Sequence, residues 1–152
     1  MTASFLNTAM LEDPVRQSVR VIAQDRLQRL LEEAARVEVR TSPGSRPDSS
    51  DPEAIHDFRV ALRRLRAWLR AFRPYLADTV RHGPERRLRT LSRLAGRARD
   101  LEVQWQWLTG LRRSHRTQVL NAARKLAEQV DREQARARRA LTKGLVAELP
   151  EA

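Results

Sequence analysis

Residues 55–73 read IHDFRVALRRLRAWLRAFR, and two patterns are written over each other in them. Ile55, Phe58, Leu62, Leu65, Leu69 and Phe72 recur at spacings of three and four. That spacing draws one apolar stripe down a helix. His56, Arg59, Arg63, Arg66, Arg70 and Arg73 keep the same rhythm. At about 100° per residue they form a second stripe centred roughly 90° from the first. One helix is thus anchored along one side and cationic along the adjoining side. The cationic stripe is roughly 25 Å long at 1.5 Å per residue, a length that suits an extended chain of anions better than one small ligand. Arg59/Arg63 and Arg66/Arg70 are like-charge i,i+4 pairs, each destabilising a helix by a few tenths of a kcal/mol. A bound polyanion would relieve that repulsion.

The flanking sequence supplies helices to pack against this one. Asp13-Pro14 has the chemistry of an N-cap followed by N1. It predicts a helix to about Val39, buried through Val15, Val19, Ile22, Ala23, Leu27, Leu30, Ala34 and Val37. Residues 1–12 carry no strong pattern and read as a flexible N-terminus. Arg26 points near the core, either snorkelling over apolar surface or aimed into a shared groove. Residues 41–51 hold two prolines, a glycine and several hydroxyl residues, and read as a flexible loop. Asp51-Pro52 repeats the helix-start signal, and the second helix should end or kink near Phe72–Arg73, ahead of Pro74. Residues 75–82 form a short connection that could itself be helical.

A third helix is predicted from Pro84 to about Leu111, with Leu88, Leu91, Ala95, Ala98, Glu102, Trp105 and Leu108 on its buried side. Gly96 inside it marks a kink or a close-packing point. A fourth runs from about Ser114 to Ala147, with Val119, Ala123, Leu126, Val130, Ala137 and Leu141 toward the core. Four long amphipathic helices without strand-like alternation predict an all-α protein, an up-down antiparallel four-helix bundle forming a single domain over residues 13–149.

The 152 residues carry a formal net charge of +11, and Lys125 and Lys143 are the only lysines. Guanidinium groups contact phosphate bidentately and hold their charge at any pH, so a surface this basic attracts polyanions. The absence of cysteine excludes disulfides, thiolate metal sites and cysteine nucleophiles. No apolar run approaches the ~20 residues of a membrane span. The opening residues MTASFLNTAMLEDP lack the basic and apolar regions of a signal peptide. A soluble cytoplasmic protein is the expectation.

Not every basic stripe carries the same meaning. Arg132, Arg136, Arg139 and Lys143 align opposite the core of the last helix and read as a solvated back. Arg89, Arg93 and Arg97 align similarly in the third helix, where a kink at Gly96 would bring Arg97 toward the groove. His56 opens the stripe of the second helix. It could be a capping or packed residue or a phosphate donor; His82 and His115 sit at no ligand spacing from it, so a metal role has little support. There is no Gly-rich phosphate loop, HExxH or GxSxG, and neither a catalytic residue nor a cofactor is expected. Asp100, after Arg99, is placed to pair with and orient arginines. A nucleic-acid-binding role fits the charge equally well, but the sequence has no helix-turn-helix and no aromatics interleaved with the stripe.

The run PEAIHDFRVALRRLRAWLRAF, residues 52–72, resembles the signature helix of the CHAD family, the conserved-histidine α-helical domains. AGRARDLEV, residues 95–103, is similar to the second family motif. The resemblance implies a helical bundle whose basic surface binds inorganic polyphosphate, with association to polyphosphate granules or phosphate metabolism. Carried onto this sequence, the family's histidine falls on His56, its basic positions on Arg59, Arg63, Arg64, Arg66 and Arg70, and its Arg-Asp pair on Arg99 and Asp100. With Arg73 and Arg97 from the stripes, these form the candidate polyphosphate-binding set. Arg64 lies off the basic stripe on the helical wheel. Family members usually hold two such bundles related by an approximate two-fold, and this sequence shows one. A homodimer restoring the pair is therefore expected, with Trp68 and Trp107 as interface anchors or, equally, as packed residues.

Overall fold

The computed structural model describes residues 8–41, 53–76, 82–111 and 117–149. All of its regular structure is helical: α1 (Thr8–Thr41), α2 (Ala54–Ala71), α3 (Arg73–Leu76), α4 (His82–Leu111) and α5 (Thr117–Glu148). Most of the loop expected at 41–51, and most of residues 1–12, lie outside the described residues.

Three sequence expectations need correcting. First, α1 starts at Thr8, so Pro14 lies inside the helix rather than opening it. Ala9, Met10, Leu11 and Glu12 are good helix formers, and the helix carries Pro14 at the cost of one backbone hydrogen bond and crowding against the preceding turn. Second, α4 is continuous through Gly96, and a Cβ added there would meet nothing within 4 Å. Gly96 is not a close-packing point. The close approach falls instead at Gly144 of α5, where an added Cβ would run into Leu94 Cδ1. Gly96→Ala should therefore stabilise the protein by about 0.5–1 kcal/mol, the ordinary gain for a helix-interior glycine. A denaturant melt checks this, and a loss of stability would mean that the site is tighter than its surroundings indicate.

Third, several residues placed on buried faces are exposed. Val15, Ile22, Leu27, Trp105, Val119 and Leu126 all stand open to solvent. The core proper is built by Val19, Leu30, Ala34 and Val37 of α1, the Ile55–Leu69 seam of α2, Leu88 to Leu101 of α4, and Ala137, Leu141 and Leu145 of α5. Phe58 and Ile55 are fully buried, each worth about 1.5–3 kcal/mol of apolar burial.

Side-chain contacts give the directions of the helices. Arg36 of α1 meets Asp57 of α2 at 3.3 Å, while Trp68 Nε1 donates to the Val19 carbonyl at 3.4 Å. Thus α1 and α2 run antiparallel. Arg59 lies 3.7 Å from Asp100, and Arg66 donates to Ser92, so α2 and α4 are antiparallel as well. Arg138 reaches Glu102 while Gly144 faces Leu94, which sets α5 antiparallel to α4. Since Glu53, at the start of α2, is level with Arg99, residues 103–111 of α4 run on past the end of α2.

Helix α2 ends where Pro74 dictates. Phe72 leaves the helix at φ −105°, ψ 21°, with its N–H still bonded to the Trp68 carbonyl. The chain then makes the single turn of α3, in which Pro74 occupies a first-turn position whose N–H has no helical partner. Leu76 of α3 closes that end of the core. Beside it an open apolar cleft of about 390 Å³ is lined by Leu27, Leu65, Leu69, Leu76 and Leu88, among others. That opening is why Leu27 is wetter than its periodicity predicts.

Candidate polyanion-binding cleft

The two stripes of α2 explain the site. Its apolar seam is drawn into the core, and this fixes the rotation of the helix. The basic stripe, roughly a quarter turn away, is then left at the edge where α2 meets α4. There an open cleft of about 290 Å³ is lined by His56, Arg59, Val60, Leu62, Arg63, Arg66 and Ser92. Among the described residues, no carboxylate belongs to that lining.

Each cation is held differently. Arg66 donates to Ser92 Oγ at 3.0 Å, and Ser92 in turn donates to the Leu88 carbonyl at 2.8 Å. A neutral hydroxyl thus aims the guanidinium without cancelling its charge. Arg59 sits 3.7 Å from Asp100, whose side chain is 70% exposed. Such a long, wet ion pair is worth at most about 1 kcal/mol and yields readily to a competing anion. Asp100 therefore does pair with an arginine, though loosely. Arg63 and Arg70 are exposed and take no carboxylate partner among the described residues. His56 is exposed at the head of the row, neither packed in the core nor capping the helix. The N-cap is Glu53, which makes no side-chain cap bond.

The remaining sequence candidates lie elsewhere. Arg64 lines a different cleft, about 780 Å³ between α1 and α2, shared with Arg26, Arg29, Asp25, Glu32, Glu33 and Asp57 among others. Its four carboxylates make that surface unsuited to a polyanion. Arg73 belongs to α3, past the break at Phe72, and is exposed there; Arg97 is exposed on α4, outside the cleft lining. Arg99 is engaged by protein carboxylates: its side chain is 15% exposed and reaches Glu102 at 3.2 Å and Glu53 at 3.4 Å. It joins α4 to the first turn of α2 and so braces the end that carries His56.

Sequence reasoning placed Glu102 on the buried face but missed its role. The residue is 2% exposed and accepts from both Arg99 and Arg138, the latter at 3.1 Å. The available signal was an acid in phase with a run of leucines and alanines, since a buried carboxylate needs cationic partners. Arg26 proves to lie over the Trp68 ring, 4.9 Å from its centroid, and Trp68 stacks on Phe72 with centroids 4.1 Å apart. Trp68 is therefore committed to the α1–α2 contact, whereas Trp107 is 65% exposed.

Among the described residues no three acidic or histidine side chains gather into a metal site, and no helix is long and apolar enough to cross a membrane. No curated protein and no solved structure matches the chain. The family model for the CHAD domain matches residues 22–150, a stretch that contains the whole of the α2–α4 cleft, and the chain belongs to the CHAD domain family.

Proposed function

We propose that the protein is a non-catalytic module that binds inorganic polyphosphate along α2. The observation that carries this reading is the α2–α4 cleft, with Arg59, Arg63, Arg66 and His56 in its lining and no carboxylate there among the described residues, in a chain of the CHAD family. Successive phosphates would take charge-assisted hydrogen bonds from successive arginines, with Arg70 extending the row by one more turn. Binding rather than catalysis is favoured because, among the described residues, His56 is the only acid–base group in the lining and no hydrogen bond orients it.

Four arginines neutralising four phosphates release counterions, so log K should fall against log salt with a slope of about −3, taking −0.7 per contact as for single strands. A fourfold rise in salt then weakens binding about 50-fold. Calorimetric titration with long-chain polyphosphate at several salt concentrations measures this, and a flat response would remove the arginine row from the site. Competition with duplex DNA at matched phosphate concentration separates polyphosphate from nucleic acid as the preferred polyanion.

Further readings belong with this proposal. The four long helices are taken to form an up-down antiparallel bundle, supported by the antiparallel α1–α2, α2–α4 and α4–α5 contacts. The setting is cytoplasmic, at polyphosphate granules. Two copies of the chain would restore a two-bundle arrangement. Val119 and Leu126, exposed on α5, offer apolar surface for that pairing, which solution mass with and without polyphosphate would reveal.

A further inference from the structure

The basic row does not end in bare polar surface. Among the described residues, Arg66 donates a hydrogen bond to Ser92 of α4 and Arg59 makes an ion pair with Asp100 of α4. Taking Ser92 as zero, a rise of about 100° per residue puts Asp100 near 80°, Val103 near 20° and Trp107 near 60°. Trp107 therefore lies on the same face of α4, between the directions of the two residues already in contact with the row. It stands seven residues past Asp100, about 10 Å further along the axis. Because α2 stops level with Arg99, α2 does not cover this stretch; Trp107 is 65% exposed and Val103 49%.

The surroundings of Trp107 differ from the rest of the chain. About a third of all residues are charged, yet residues 103–111, VQWQWLTGL, include no acid and no base. An exposed indole on a neutral strip, in line with a row of guanidiniums, matches a ligand with a flat uncharged group at one end and several phosphates after it. We propose that the cleft accepts a nucleoside 5′-polyphosphate, its base stacked on Trp107 and Val103 and its phosphates running past His56 and Arg59 toward Arg63 and Arg66.

A single-stranded nucleic acid is the poorer fit, since it would need a stacking platform for each base. The row offers one. Trp68 is occupied by Arg26 and Phe72, and Trp105 points roughly 160° away from Trp107 around the helix. This inference rests on the polyphosphate reading, because the same arginines hold the phosphates in both.

The test compares ATP with inorganic tripolyphosphate in magnesium-free buffer, for the parent protein, Trp107→Ala and Trp107→Tyr. The parent should bind ATP about 5- to 150-fold more tightly than tripolyphosphate, the range for one base stacked on an aromatic ring. Trp107→Ala should erase that preference while leaving tripolyphosphate affinity unchanged, and Trp107→Tyr should keep most of it. Equal binding of the two ligands by the parent overturns the nucleotide inference and leaves the polyphosphate reading standing, whereas binding of neither overturns both. Two further results would also overturn it: single-stranded RNA binding more tightly than ATP at equal phosphate number, or Trp107→Ala lowering the solution mass of the protein without altering the ligand preference. The second would make Trp107 an interface residue.

Discussion

Reversing two charges at the centre of the α2 row, Arg63→Glu with Arg66→Glu, should weaken long-chain polyphosphate binding at least about a hundredfold while leaving the fold intact. Each lost contact is a hydrogen bond to a charged group, worth about 1.5–3 kcal/mol, and the new carboxylates add repulsion. Two such losses give about 3–6 kcal/mol before repulsion is counted, and every 1.4 kcal/mol is tenfold in affinity. Stability should change little. The like-charge pairs Arg59/Arg63 and Arg66/Arg70 become opposite-charge pairs, a gain of a few tenths of a kcal/mol each. Against that stands the loss of the single Arg66–Ser92 hydrogen bond. A matched control is Arg132→Glu with Arg136→Glu, which changes net charge equally on the exposed back of α5. It should weaken binding only a few-fold. If the two double variants lose affinity alike, the protein holds polyanions by overall charge and the cleft has no special part.

Glu102→Ala should cost about 3 kcal/mol of stability. Removing one member of a buried ion pair typically costs 3–5 kcal/mol because the partner stays behind uncompensated. Here the lower end applies, since Arg138 is 31% exposed and can turn toward water. Against a total stability of 5–15 kcal/mol that is a large fraction. The damage should also reach the cleft, because Arg99 links Glu102 to Glu53 at the head of α2. Replacing acid and base together, Glu102→Leu with Arg138→Leu, should restore only part of the loss, because the 15% exposed Arg99 still loses Glu102 and keeps Glu53. Chemical denaturation of the parent and both variants decides this. A Glu102→Ala midpoint indistinguishable from the parent would show that the carboxylate does not hold the helices together.

Helix α2 was the most legible part of the sequence. Its apolar and basic periods share one rhythm, so the position of Ile55 in the core dictates the direction of Arg63. The same wheel set Arg64 apart from the row, and the structure turns it into the α1–α2 cleft. Periodicity was less informative wherever helices outrun their neighbours. It identifies which face is apolar but not whether another helix reaches it. Val119, Leu126 and Trp105 are on apolar faces by spacing yet exposed. The role of Arg99 was hidden for a related reason. A local motif joins it to Asp100, while the carboxylates it meets are Glu53, 46 positions away, and Glu102. The glycines show the same limit, since Gly96 and Gly144 look alike in sequence and only packing tells them apart.

The shortness of α2 also divides the molecule energetically. Residues 88–101 of α4 are clamped between α2 and α5, whereas residues 103–111 lie past the end of α2. Opening at that end breaks fewer buried contacts than opening at the centre, so it costs only part of the global unfolding free energy. The molecule is thus a firm body with a softer tip. A ligand that spans from Arg66 to Trp107 would tether the tip to the body, and part of its binding free energy would be drawn off in stilling it.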